Sequence, residues 1–221
     1  MGFSYSPKVV TDGLVLYLDA ANPLSYANGS TKWNDLSRGR NNGTLINGPS
    51  FQDNAIVFDG VDDYVTTSLR IETNDFTDEV WVYTPSTFLA ENQISAQYIQ
   101  SDVGRYILSL NQIPETKVRY FLGGTKGYSN QTILPDSWYQ IVIVREGSVG
   151  YIYINGEFDK TVTAGTTAVA SSPVYTLGQL SQLNNGYSWA GRIAQAKIYN
   201  RALTAQEVQR NYQALKSRFG L

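Results

Sequence analysis

WYQIVIVREGSVGYIYINGEFDKTVT, residues 138–163, is the most informative stretch of this chain. Trp138 to Arg145 is apolar at most positions, the pattern of a strand covered on both faces. Downstream, Tyr151 to Ile154 and Glu157 to Thr163 place β-branched and aromatic residues on either side of Asn155-Gly156. That dipeptide tolerates positive φ at both positions and suits a type I′ hairpin turn. A strand buried on both faces belongs in the middle of a sandwich.

Working outward, further strands are expected at Leu14 to Leu18, Ala55 to Asp59, Tyr64 to Thr67, Glu79 to Tyr83, Tyr106 to Leu110, Val118 to Phe121, Val174 to Leu177 and Gly191 to Tyr199. Turn pairs punctuate them: Asp12-Gly13, Asn28-Gly29, Asn42-Gly43, Asn47-Gly48, Asp59-Gly60 and Asn185-Gly186. One helix, 204–217, closes the chain. Thr204-Ala-Gln-Glu207 is a capping box, Leu203 and Val208 form a hydrophobic staple, and Val208, Tyr212 and Leu215 make one apolar face. Arg210, Lys216 and Arg218 lie toward the negative end of the helix dipole. The expected fold is therefore all-β: an antiparallel two-sheet sandwich with one short C-terminal helix, an arm at 1–12 and a single domain over 13–221.

Composition narrows the function. With 221 residues, 42% of them hydrophobic and 16% charged, the chain can bury a core. The net charge of −2 and scattered basic residues speak against nucleic acid, and no apolar run is long enough for a membrane helix. There is no Cys and no His, which excludes disulfides, thiolate sites, His-ligated zinc and Ser-His-Asp triads. Paired carboxylates are the remaining route to hydrolysis. Glu72, Asp75, Asp78 and Glu79 are the nearest acidic group; they read as solvated residues of a loop and a strand edge, so no enzyme activity is expected. The N-terminus does not read as a secretory signal, and a myristoylation match at Gly2 and sequons at Asn28, Asn42 and Asn130 carry no weight.

In this order, several stretches resemble the LamG-like branch of the concanavalin A-like lectin/glucanase jelly rolls. They are Gly13 to Asp19, Ala55 to Val65, Phe76 to Pro85, Trp138 to Arg145, Tyr151 to Gly156 and Gly191 to Thr204. The resemblance implies two curved antiparallel sheets face to face. The family often has His where this chain has Gln140, and the Glu-x-Asp-x-x-Glu strand of its glucanases is absent.

FDGVDDYV, residues 58–65, holds Asp59, Asp62 and Asp63. Their spacing does not match an EF-hand loop. Two readings stay open: a turn held by local carboxylate hydrogen bonds, and a calcium site of the kind LamG-like domains carry at the sandwich rim, with Asp19 a weaker candidate ligand. Glycan binding would use aromatic residues in turn-rich stretches, Trp33, Tyr128, Tyr187 and Trp189; Trp81 and Trp138 are expected in the core.

Leu18 to Pro23, Trp33 to Ser37 and Asn42 to Pro49 are also similar to LamG-like structural proteins of tailed bacteriophages. That resemblance implies a virion surface protein, a capsid decoration or tail-associated subunit, made in the host cytoplasm. It would contact other virion proteins, host-surface polysaccharide and further copies of itself. Two readings stay open for the extended Lys8 to Thr11 in the arm: a strand completing its own sandwich, and a docking strand that adds to a neighbour's sheet edge. The alternative is a free-standing carbohydrate-binding lectin-like module of a bacterial or secreted protein.

Overall fold

A computed structural model describes residues 7–89, 91–97, 106–112, 115–122, 125–165, 174–180 and 187–221. Asn185-Gly186 and the first six residues of the arm lie outside these. Two antiparallel eight-stranded sheets face each other. The first runs in spatial order Glu157–Thr163 (β14), Val149–Ile154 (β13), Trp138–Glu146 (β12), Phe76–Tyr83 (β7), Arg192–Tyr199 (β16), Ala55–Val57 (β5) and Ser50–Gln52 (β4), with Leu14–Asp19 (β1) also pairing β16. The second runs Thr125–Thr132 (β11), Thr116–Leu122 (β10), Tyr106–Gln112 (β9), Glu91–Gln97 (β8), Tyr175–Leu177 (β15), Tyr64–Thr66 (β6), Gly43–Ile46 (β3) and Lys32–Trp33 (β2).

The expected hairpin is present: Asn155 and Gly156 have φ of 53° and 79°, as a type I′ turn requires. The Asn155 carboxamide oxygen also accepts from the Gln140 amide at 2.9 Å, tying the turn to β12. Strand β12 is buried on both faces. Tyr139, Ile141 and Ile143 enter the core between the sheets, while Val142 and Val144 pack outward against Val10, Leu203 and Val208.

That outer packing comes from the C-terminal helix, Ala205–Leu215 (α1). The Thr204 hydroxyl accepts from the Glu207 amide, and the Glu207 carboxylate accepts from the Thr204 amide, completing the capping box. A 3-10 turn over Lys216–Phe219 then brings Phe219 to stack on Trp81, with ring centroids 4.1 Å apart. Arg218 does not serve the helix dipole, as the sequence suggested; it reaches Asp19 at 2.8 Å.

Three further expectations need correction. The Lys8 to Thr11 stretch is not a strand: its Val10 amide donates to Oδ1 of Asn211 in α1 at 2.7 Å and its Val10 carbonyl accepts from the Tyr199 hydroxyl at 3.1 Å. It is bound to its own domain. Asp78 and Glu79 are not solvated; both are 0% exposed, because β7 begins at Phe76 and both of its faces are covered. Asp78 points into the core and accepts from the hydroxyls of Ser95, Tyr106 and Tyr175; Glu79 points under α1, paired with Lys197 at 2.9 Å and held by Gln140 and Asn211. Strands β2, β3, β4, β8 and β11 carry no period-2 hydrophobic signal and were not expected.

Candidate functional site

Both described helices lie on the first sheet, and among the described residues neither covers the outer face of the second. Side chains alternate across each strand. In β9 and β10, Tyr106, Leu108, Leu110, Val118, Tyr120 and Leu122 fill the core, which turns Ile107, Ser109, Asn111, Arg119 and Phe121 outward. Register then lines residues of four adjacent strands into one transverse row: Gln93 opposite Ser109, Ser109 opposite Arg119, Arg119 opposite Tyr128. With strands about 4.8 Å apart the row is roughly 14 Å long. On one side lies the row Glu91, Asn111, Lys117 and Thr132; on the other lies Ala96, Ile107, Phe121 and Lys126, with Leu180 packed against the first three.

The polar groups of this face are buried yet unanswered. Gln93, Ser109, Asn111 and Arg119 are all under 9% exposed. Gln93 Oε1, Ser109 Oγ, Asn111 Oδ1 and Arg119 Nε have no hydrogen-bond partner. Buried polar atoms are rarely left so, because each costs about 1–3 kcal/mol unpaired. Arg119 forms an ion pair with Glu91 through Nη1. Burial lowers the pKa of the Arg119 guanidinium, while the Tyr128 and Tyr187 hydroxyls act in the opposite sense. Both tyrosines therefore stand near it, 37% and 42% exposed; the Tyr187 carbonyl also accepts from the Gln93 amide at 3.0 Å.

Of the aromatic residues expected to meet glycan, the fold brings Tyr128 and Tyr187 together on this face. Trp33 and Trp189 are corrections. Both are 0% exposed and belong to the core between the sheets, since each follows a turn but points inward from a segment paired to the sandwich. Trp81 is buried as expected, though under α1 rather than between the sheets. Glu91, Gln93, Ser109, Asn111 and Arg119 were not singled out from sequence. The one available signal was Arg119 in the outward phase of an otherwise apolar strand.

Asp59, Asp62 and Asp63 do converge: each offers a carboxylate oxygen within 4.8 Å of the others. The arrangement is first of all a turn, with Asp59 Oδ1 accepting from the amides of Val61, Asp62 and Asp63 and Asp63 Oδ2 accepting from the Asp59 amide. Burial raises the pKa of Asp63, as do the neighbouring Asp59 and Asp62 charges, while the bond from the Asp59 amide acts in the opposite sense. Hard oxygens at this separation fit Ca²⁺, whose ligands sit at about 2.3–2.6 Å and hence up to about 5 Å apart. The loop also braces the candidate face: Ser188 Oγ donates to the Val61 carbonyl at 2.8 Å, and Gly60 packs against Ala190 so closely that a Cβ there would lie 2.6 Å from the alanine's. Asp19 lies apart from the cluster; its carboxylate is taken up by Arg218 and by Gln195 at 2.6 Å.

The family model of the concanavalin A-like lectin/glucanases superfamily matches residues 59–209. The chain belongs to this superfamily. No curated protein sequence matches this concanavalin A-like domain. Among solved structures it is similar to Trypanosoma rangeli sialidase in complex with the inhibitor DANA, at 15% identity and a TM-score of 0.71, over 97% of this chain and 36% of the sialidase. It therefore spans about a third of that enzyme. It is also similar to domain 4 of AbnA, an extracellular arabinanase from Geobacillus stearothermophilus, in complex with arabinotriose, at 16% identity and a TM-score of 0.66 over 90% of this chain and 98% of that one. The binding domain of Paraclostridial Mosquitocidal Protein 1 has 20% identity and a TM-score of 0.67, over 90% of this chain and 52% of that chain. These likenesses establish the fold.

Proposed function

We propose that this domain is a non-catalytic carbohydrate-recognition module whose ligand lies across the outer face of the second sheet. The observation that carries the reading is the row of buried, unpartnered polar atoms on Gln93, Ser109 and Arg119, ending at exposed Tyr128 with exposed Tyr187 nearby. Sugar hydroxyls both donate and accept, and the C–H faces of a sugar ring pack on aromatic rings, so such a face matches an oligosaccharide. A domain of the same fold and nearly the same length is described with arabinotriose. Calorimetric titration against a panel of oligosaccharides tests it: saturable binding that Arg119→Ala or Tyr128→Ala weakens is expected. Silence across the panel from folded protein at high concentration overturns it.

Binding without turnover is supported by the carboxylates. Glycoside hydrolysis of the common type needs two, placed across the bond. In the three rows of the face only Glu91 is acidic, and it is engaged by Arg119. Release of reducing ends from any bound polysaccharide, lost in Glu91→Gln, would contradict this reading.

Attachment to a phage particle rests on the resemblance of Leu18 to Pro23, Trp33 to Ser37 and Asn42 to Pro49. The fold gives those stretches internal duties: the Asp35 carboxylate accepts from the amides of Tyr17, Ser37 and Asn41, and Asn42 Oδ1 from the Asp35 amide. Immunogold labelling of purified particles tests the virion location and its protein partners directly. The free-standing recognition module accommodates the same face equally well.

A further inference from the structure

We propose that the ligand of this face is a neutral oligosaccharide, and that Glu91 sets that selectivity by cancelling the charge of Arg119; the inference rests on reading the face as carbohydrate-binding. Arg119 is the one cation within the central row, and its side chain is 9% exposed. An unanswered guanidinium in that position would attract a ligand carboxylate, as Arg does wherever carboxylates are recognised. Here Glu91, 18% exposed, already pairs with it. The pair presents no net charge to a ligand.

The remaining groups point the same way. Gln93 Oε1 and Asn111 Oδ1 are acceptors without donors, flanking Ser109 Oγ, which can serve as either. A uronate or sialate carboxylate approaching them brings further acceptors and meets the Glu91 charge. A hydroxyl brings a donor to each amide oxygen and an acceptor to Arg119 Nε. Lys117, in the next row, is engaged by Glu115 at 3.2 Å and by the Asn130 carbonyl at 2.6 Å. Lys126 is exposed at the rim, where water screens it.

The test is calorimetry with neutral oligosaccharides of arabinose, xylose, glucose, galactose and mannose, set against oligogalacturonate and sialyllactose. Wild type, Glu91→Gln and the double variant Glu91→Gln/Arg119→Gln are compared, each checked by thermal melting. Wild type is expected to bind at least one neutral ligand and every acidic one about tenfold or more weakly. Glu91→Gln should raise acidic affinity about tenfold, the effect of one uncancelled charge at close range in a partly screened site. The double variant should lose that gain, which distinguishes charge from a change of shape. Acidic ligands binding wild type as tightly as neutral ones, or no acidic gain in Glu91→Gln, overturns the selectivity while leaving carbohydrate recognition standing. Failure of wild type to bind any ligand overturns both.

Discussion

Asn211 in the C-terminal helix donates to Oε2 of Glu79 at 2.6 Å, joining residues 132 positions apart in the chain beneath one helix. The same side chain accepts from the Val10 amide and donates to the Tyr199 hydroxyl. One carboxamide thus holds helix, arm and first sheet together. Asn211→Ala leaves a buried carboxylate oxygen and a buried amide without partners and is expected to destabilise the domain by about 3 kcal/mol. Urea unfolding measures the loss, and hydrogen exchange should show the Val10 amide newly exposed to solvent.

Asp78 links stability to pH. Full burial raises its pKa to about 6, against an ordinary value of 3.8, and bonds from Ser95, Tyr106 and Tyr175 only partly offset that rise. Because the folded value is the higher one, the stability associated with the protonated form is complete below about pH 4 and is lost as pH rises through 6. The gap corresponds to about 3 kcal/mol. Asp78→Asn removes it: the stability difference between wild type and this variant is expected to move in favour of wild type as pH falls from 7 to 4, measured by denaturant unfolding at each pH. A constant difference contradicts the assignment.

The four aromatic residues near turns separate into two classes. Trp33→Ala and Trp189→Ala empty core volume and are expected to cost about 3–5 kcal/mol each. Tyr128→Ala and Tyr187→Ala are expected to change stability by less than about 1 kcal/mol, as surface substitutions do, while lowering oligosaccharide affinity several-fold. Paired melting and binding curves on the four variants check the distinction.

We propose a test of calcium at the Asp59, Asp62 and Asp63 turn: if the carboxylates hold the ion, calcium raises the melting temperature, chelation reverses the effect and Asp62→Asn abolishes it. Since this loop is bonded to Ser188 and packed on Ala190, beside Tyr187, calcium is also expected to tighten oligosaccharide binding. Titration heat with CaCl₂ and affinities with and without chelator measure both. No heat and unchanged melting remove the metal and leave the turn.

The hairpin at Asn155-Gly156, the doubly buried strand Trp138–Glu146 and the capped helix were legible because each is written in local chemistry: turn dihedrals, apolar runs and a capping box. The strand Glu91–Gln97 was not. Its residues are mostly polar, and it is a strand because β9 and β15 lie on either side to pair with it. Asp78 and Glu79 were misread for a related reason: acids beside a loop suggest solvent until the packing of Tyr106 and Tyr175 on one side, and α1 on the other, removes it.

Read alone, the chain determined its sheet content, its terminal helix, its lack of imidazole and thiol chemistry, and its superfamily, since these depend on residue type and near-neighbour spacing. The tertiary structure decided which residues share a surface. Strand register sets Tyr128 opposite Arg119 and Gln93 opposite Ser109, and Tyr187 joins them from a distant segment through the Gln93 backbone amide; Trp33 and Trp189 are withdrawn into the core. Register is fixed by cooperative burial of whole faces rather than by any short segment, so a binding face assembled from four strands exists only once those strands are paired.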